Sequence, residues 1–170
     1  VCVMDFLKVL DSGYAKQDSI SRAEYVKALI RIRGIENAID KNAVSGFRDV
    51  APDDEAYIAA AKLLGFVTGE SESEFSPDRA VTFNEAVKMI TDVLGYTVHA
   101  QQKGGYPVGY IAAAGEKGLL KNTGTFNYEA PAAPERIAQL LYNSLEVEMA
   151  EFLPFPGEGR YETTEKTLLG

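Results

Sequence analysis

Arg22 is the side chain whose type and position most directly suggest chemistry. It stands in the run Ser21-Arg22-Ala23-Glu24. Ser21 and Glu24, three residues apart, form a capping box, which places Arg22 at the first position of a helix. The helix dipole disfavours a cation there by about 0.3 kcal/mol or more. Two readings follow. An anion at that point would be met by free backbone N–H groups and by the guanidinium fork together. Alternatively, Arg22 is a solvated surface arginine. The residues at the same position in the two later helices of this type are Phe83 and Pro134, and neither can bind a carboxylate.

Other chemistry has little support. His99 has no serine or cysteine motif beside it, and Cys2 lies near the start of the chain, so a nucleophilic triad is not indicated. Lys103-Gly104-Gly105 lacks the rest of a phosphate loop. The acidic run from Glu70 to Glu74 fails the spacing of a calcium-binding EF-hand and reads as a solvated loop. With one cysteine and one histidine in 170 residues, neither an internal disulfide nor a Cys/His zinc site is possible, and no metal or cofactor is expected. The formal charge of −8 argues against a nucleic-acid partner, which needs a basic patch. It is compatible with a secreted or surface protein. No apolar run is long enough to span a bilayer. The first ten residues lack the basic start and cleavage site of a signal peptide, and helix-like residues begin at once, so any export signal is expected upstream of Val1.

The elements that must position Arg22 form a repeating pattern, clearest in residues 47–96. Asp53, Asp54 and Glu55 follow Pro52 and favour a helix N-terminus. Tyr57, Ile58, Ala60, Ala61, Leu63 and Leu64 supply apolar contacts up to a left-handed stop at Gly65. A polar loop carrying Phe75 comes next. Thr82 and Glu85 then repeat the capping box and open a second helix that buries Ala86, Met89, Ile90, Val93 and Leu94.

Residues 1–34 read as a truncated copy: a helix with Phe6, Leu7, Val9 and Leu10, a turn at Gly13-Tyr14, then a helix burying Tyr25, Val26, Leu29, Ile30 and Ile32. A third copy follows a linker at residues 97–105. There Tyr110-Ile111-Ala112-Ala113-Ala114 echoes Tyr57-Ile58-Ala59-Ala60-Ala61. Asn122 takes the place of Gly69, an exchange that fits a position of positive φ. Tyr14, Phe75 and Phe126 each stand seven positions before a second-helix cap as loop anchors. Pro134 opens the last helix, which buries Ile137, Ala138, Leu141 and Leu145. The expected organisation is therefore a copy at 1–34, linker and copy at 35–96, linker and copy at 97–149, and an extended tail at 150–170 leading toward a further domain. Units this small must share a core.

Four runs, Phe47-Arg48-Asp49-Val50, Gly65-Phe66-Val67-Thr68-Gly69, Phe75-Ser76-Pro77 and Ser21-Arg22-Ala23-Glu24, together resemble the S-layer homology (SLH) domain. That family's repeat runs F-x-D-V, a helix, G-[IF]-[IV]-x-G, a loop with F-x-P, then [ST]-R-A-E and a second helix. Gly105-Tyr106-Pro107 and Ala138-Gln139-Leu140-Leu141-Tyr142-Asn143 are similar to the last repeat of such proteins. The resemblance covers roughly residues 1–149 and implies a mainly α, pseudo-threefold module of three tandem helix–loop–helix repeats around a central three-helix bundle.

It also implies a function. Family members anchor proteins to the cell wall by holding acidic, pyruvylated secondary cell-wall polysaccharide in grooves between repeats, with the arginine of T-R-A-E as a main contact. On that reading Arg22, Asp49, Gly69 and Tyr57 are the candidate polysaccharide-binding residues. Three of these have second readings in the residues themselves. Asp49 would serve turn capping, Gly69 a plain turn, and Tyr57 the core. The expected protein is non-catalytic, extracellular and held at the cell wall, without membrane insertion. The alternative is an assembly module that pairs with copies of itself or with other surface proteins and has lost most glycan binding, as Phe83 and Pro134 suggest.

Overall fold

The computed structural model describes residues 8–11, 13–125, 127–153 and 160–170, and among these it is mainly helical. The helices are α1 (Arg22–Ile32), α2 (Pro52–Leu63), α3 (Phe83–Val93), α4 (Thr97–Gln102), α5 (Val108–Glu116) and α6 (Pro134–Ser144). Two antiparallel strands follow, β1 (Ala150–Leu153) and β2 (Arg160–Thr163). The expected opening helix with Phe6 and Leu7, together with Cys2 and Phe126, lies outside the described residues. Val9 and Leu10 are buried, but they stand in a turn.

Both capping boxes form. The Glu24 amide donates to Ser21 Oγ at 3.2 Å, and the Ser21 amide donates to Glu24 Oε2 at 2.8 Å. At α3 the Glu85 amide donates to Thr82 Oγ1 at 3.3 Å, and the Thr82 amide to Glu85 Oε2 at 2.9 Å. Each such cap is worth about 1 kcal/mol. From these starts the apolar spacing turns one face of each helix inward. Tyr25, Val26 and Leu29 of α1, Ala86 and Ile90 of α3, and Ile137 and Leu141 of α6 are fully buried in one core. Helix α3 packs against both α1 and α6, and a single 3-10 turn at Tyr14–Lys16 packs on α6. Tyr25 also ties α1 to α3, its hydroxyl donating to the Ala86 carbonyl at 2.9 Å. Burial pushes that hydroxyl's pKa far above its ordinary value.

The second helices are joined at their N-termini by the same hydrogen bonds at equivalent positions. The Val81 amide donates to Ile20 O at 2.9 Å, and the Ala132 amide donates to Val81 O at 3.0 Å. The Ala23 amide donates to Pro77 O, and the Asn84 amide to Tyr128 O, both at 3.0 Å. Short bridges pair Ser21 with Ala80 and Thr82 with Pro131. First-turn N–H groups that a helix leaves without an internal partner are thus used to fasten α1 and α3 to the segments that lead into the next of these helices.

The structure departs from the sequence expectation at Leu63 and Leu64 and adds detail to the segments expected as linker and tail. The linker at residues 97–105 contains α4, which packs on α5 so closely that a Cβ on Gly109 would overlap the Ala100 carbonyl. Leu63 and Leu64 do not join the core and are 88% and 50% exposed. The chain turns at Gly65, with φ of +75°, and buries Phe66 and Val67 instead. The tail forms the β1–β2 pair and docks on the end of α3, where the Ala150 amide donates to Leu94 O at 2.8 Å.

Candidate functional site

The loop between α2 and α3 folds back over the start of α1. This places Arg22 against a segment more than forty residues away in sequence. The backbone N–H groups at the head of α1 are occupied: Arg22 donates to Arg79 O at 2.9 Å, Ala23 to Pro77 O and Glu24 to the Ser21 hydroxyl. The cluster of free N–H groups that would meet an anion is therefore absent, because the loop before α3 and the Ser21 cap have taken them.

The guanidinium is buried as well, at 4% exposure, so Arg22 is not a solvated surface residue. Its Nε donates to Phe75 O at 3.0 Å, Nη1 to Glu85 Oε1 at 2.8 Å and Nη2 to Thr68 O at 3.3 Å. Its Cζ lies 4.6 Å from the centre of the Phe75 ring, within cation–π range. Burial pulls the Arg22 pKa down, against the opposing pull of Glu85. An arginine stays charged under such shifts.

Glu85 is the pivot of a network. Besides capping α3 and pairing with Arg22, it accepts from Arg79 Nη2 at 2.5 Å and Nη1 at 3.1 Å. Arg79 Nε also donates to Glu70 Oε1 at 2.7 Å, and the Ser76 hydroxyl donates to Glu70 Oε2 at 2.9 Å. Two guanidiniums and two carboxylates thus alternate across the junction. Beside them, Arg22, Thr68, Gly69, Lys88, Met89 and Tyr106 line a groove of about 260 Å³. Tyr106, from the segment before α5, is 53% exposed, and Lys88 pairs with Asp92 at 2.8 Å.

Arg22 and Gly69 are therefore brought together, whereas Asp49 and Tyr57 do not line this groove. Asp49 is exposed, and its carboxylate accepts from the Phe75 amide at 2.9 Å and the Ser76 amide at 2.7 Å. That is turn capping, and it holds the Phe75 carbonyl that Arg22 uses. Tyr57 is half-buried on α2, and its hydroxyl donates to Glu36 Oε1 at 2.7 Å, fastening the segment after α1 to that helix. Gly69 does not have positive φ, although Asn122, its counterpart, does at +62°. A Cβ at Gly69 would overlap the Phe47 ring and the Ser71 and Glu74 carbonyls, so close approach requires the glycine.

Sequence reasoning missed Arg79, Glu70, Lys88 and Tyr106. Arg79 and Glu70 could have been flagged as an opposite-charge pair within one loop, but nothing local marks Tyr106. At the equivalent junction further along, Phe83 is fully buried and packs edge-on against Tyr128 at 4.8 Å between ring centres. Pro134 is buried too. A second groove of about 600 Å³ runs along α6 past Lys121, Asn122, Gln139, Tyr142 and Asn143.

The carboxylates give the junction a pH dependence of known sign. Burial pushes the Glu85 carboxyl up, but Arg79, the Thr82 amide and Arg22 together hold it below its ordinary value near 4.5. The Ser76 hydroxyl and Arg79 hold Glu70 low, against burial. Burial also raises Asp49, and the Phe75 and Ser76 amides outweigh it to leave it below its ordinary 3.8. Groups depressed in the folded state stabilise it fully above their unfolded pKa and lose that contribution as pH falls through the folded value. Denaturant unfolding from pH 7 to pH 3 should show stability falling below about pH 4.5. A rise in stability over that interval would contradict the network.

Fold and site together define a mainly helical module with a charged groove between α1, α3 and the loop that joins α2 to α3. Residues 46–87 match the family model of the S-layer homology domain. The chain is 31% identical over 159 residues to the middle cell wall protein of Brevibacillus brevis, covering 92% of this chain and 15% of that protein. It is 29% identical over 168 residues to the surface layer protein of Brevibacillus choshinensis, covering 94% and 15% respectively. A cell surface protein of Thermoanaerobacter kivui is 24% identical over 147 residues, 84% of this chain and 18% of that one. The chain thus spans less than a fifth of the length of these relatives. It carries an S-layer homology domain and is an SLH-domain protein.

Proposed function

We propose that the chain is a non-catalytic cell-surface anchoring module of three tandem SLH repeats, divided as 1–34, 35–96 and 97–149. Its ligand is an acidic, pyruvylated secondary cell-wall polysaccharide, held in the groove between the first and second units. The observation that carries this reading is the position of Arg22 beside Gly69, Lys88 and the exposed Tyr106. A guanidinium has more N–H groups than the three contacts Arg22 makes inside the protein, so it can also serve a ligand carboxylate. Tyr106 offers a ring face to a sugar. The names of the relatives, each a wall or surface protein, support a location at the cell surface. The recurrent hydrogen bonds at the two junctions support the repeat organisation. Phe83 and Pro134 in the arginine position concentrate binding in this one groove.

A pull-down on purified, pyruvylated wall polysaccharide tests the proposal. Retention of the chain is expected, and an unretained folded chain would overturn it.

A further inference from the structure

The charges of the groove are already balanced without a ligand: Arg22 and Arg79 face Glu85 and Glu70, and Lys88 faces Asp92. A carboxylate that arrives must either add to a neutral network or replace one of its members. The two resident glutamates differ sharply in how firmly they are held. Glu85 accepts from the Thr82 amide and hydroxyl, from Arg22 and from Arg79, and its side chain is 19% exposed. It cannot leave without uncapping α3.

Among the described residues Glu70 accepts from Arg79 and the Ser76 hydroxyl alone, and its side chain is 41% exposed. Its backbone is pinned independently, with its amide donating to Glu74 O at 2.9 Å. A change of rotamer alone therefore carries its carboxylate into solvent. What it vacates is the Nε edge of the Arg79 guanidinium and the Ser76 hydroxyl donor, beside the groove that Glu70 and Gly69 line.

We propose that Arg79 is the second ligand-binding cation of this groove and that Glu70 is its resident counter-ion, displaced by the carboxylate of an acidic sugar. This rests on the reading of the groove as a glycan site. The exchange conserves charge: one carboxylate leaves Arg79 as another joins it. Specificity for acidic over neutral sugars then comes from Arg79, because a neutral sugar gives no compensation for the ion pair it breaks. An ion pair as exposed as this one is weak, so its removal should tighten binding by only a modest factor.

The test is calorimetric titration of the 170-residue chain, wild type and variants, with purified pyruvylated wall polysaccharide. Glu70→Gln should bind about fivefold more tightly. Glu72→Gln is the control, because Glu72 is an exposed residue of the same loop and makes the same change in net charge. It should stay within about twofold of wild type. Binding by Glu70→Gln alone would also support the proposal. Unchanged or weaker binding by Glu70→Gln, with wild type binding, overturns the counter-ion and leaves the glycan site standing. Equal tightening by both variants overturns it as well, since that is a long-range charge effect. Binding by neither wild type nor Glu70→Gln removes the glycan reading itself and this proposal with it.

Discussion

Replacing Arg22 with alanine should lower the unfolding free energy by about 3 kcal/mol, more than any surface arginine would cost. The reason is what the guanidinium leaves behind. The Phe75 and Thr68 carbonyls lose a donor, the Phe75 ring loses its cation, and Glu85 is left with Arg79 as its charged partner among the described residues. Arg22→Lys should recover less than half of the loss. An ammonium cannot reach a carboxylate and two carbonyls as one planar fork. Denaturant unfolding with an unchanged slope would report this as a shift of midpoint. A loss under about 1 kcal/mol would mean that the ion pair is no more than a surface contact. The consequence is that Arg22 both joins α1 to α3 and the loop before it and lines the groove beside them. On the proposed function, a wall glycan held there would sit at a structural seam.

Gly69→Ala should destabilise the chain by about 2 kcal/mol, and the sign is the informative part. Gly69 is not in the left-handed region, so its backbone alone would accept alanine, and a glycine-to-alanine change of that kind stabilises by about 0.5 kcal/mol through the unfolded chain. The opposite sign is expected here because the added methyl overlaps the Phe47 ring and two backbone carbonyls of the same loop. The ring could shift, but the Ser71 and Glu74 carbonyls can move only if the loop opens. Glu70 and Thr68 would move with it and distort the groove. Thermal unfolding decides the matter, and a variant more stable than wild type would refute the close packing described.

The parts of this structure that are readable in the chain are the local ones. Ser21 with Glu24 and Thr82 with Glu85 announce helix starts because each capping box is closed within three residues. The apolar spacing of α1, α3 and α6 shows which face is buried for the same reason. What stayed hidden depends on distant partners. Glu85 reads as a cap, and only the fold brings Arg22 to it from 63 positions away. Leu63 and Leu64 look like core because they continue an apolar run, yet the turn at Gly65 passes that role to Phe66 and Val67. Residues 97–105 look like a linker because α4 is too short to show a face, and its packing on α5 through Gly109 supplies what periodicity does not. At the candidate site, Arg22 and Gly69 are legible through motif order. The role of Arg79 is not, since it follows from a loop closing on itself. Asp49 and Tyr57 carried two readings each, and the geometry gives both a part in holding segments together.

The groove beside Arg22 is proposed to recognise the carboxylate of a wall glycan. The most direct measurement is titration of the folded chain with one glycan preparation before and after chemical removal of its ketal-linked pyruvate. Binding by the intact glycan, lost when the carboxylate is removed, is the predicted result. Equal binding to both preparations would contradict it.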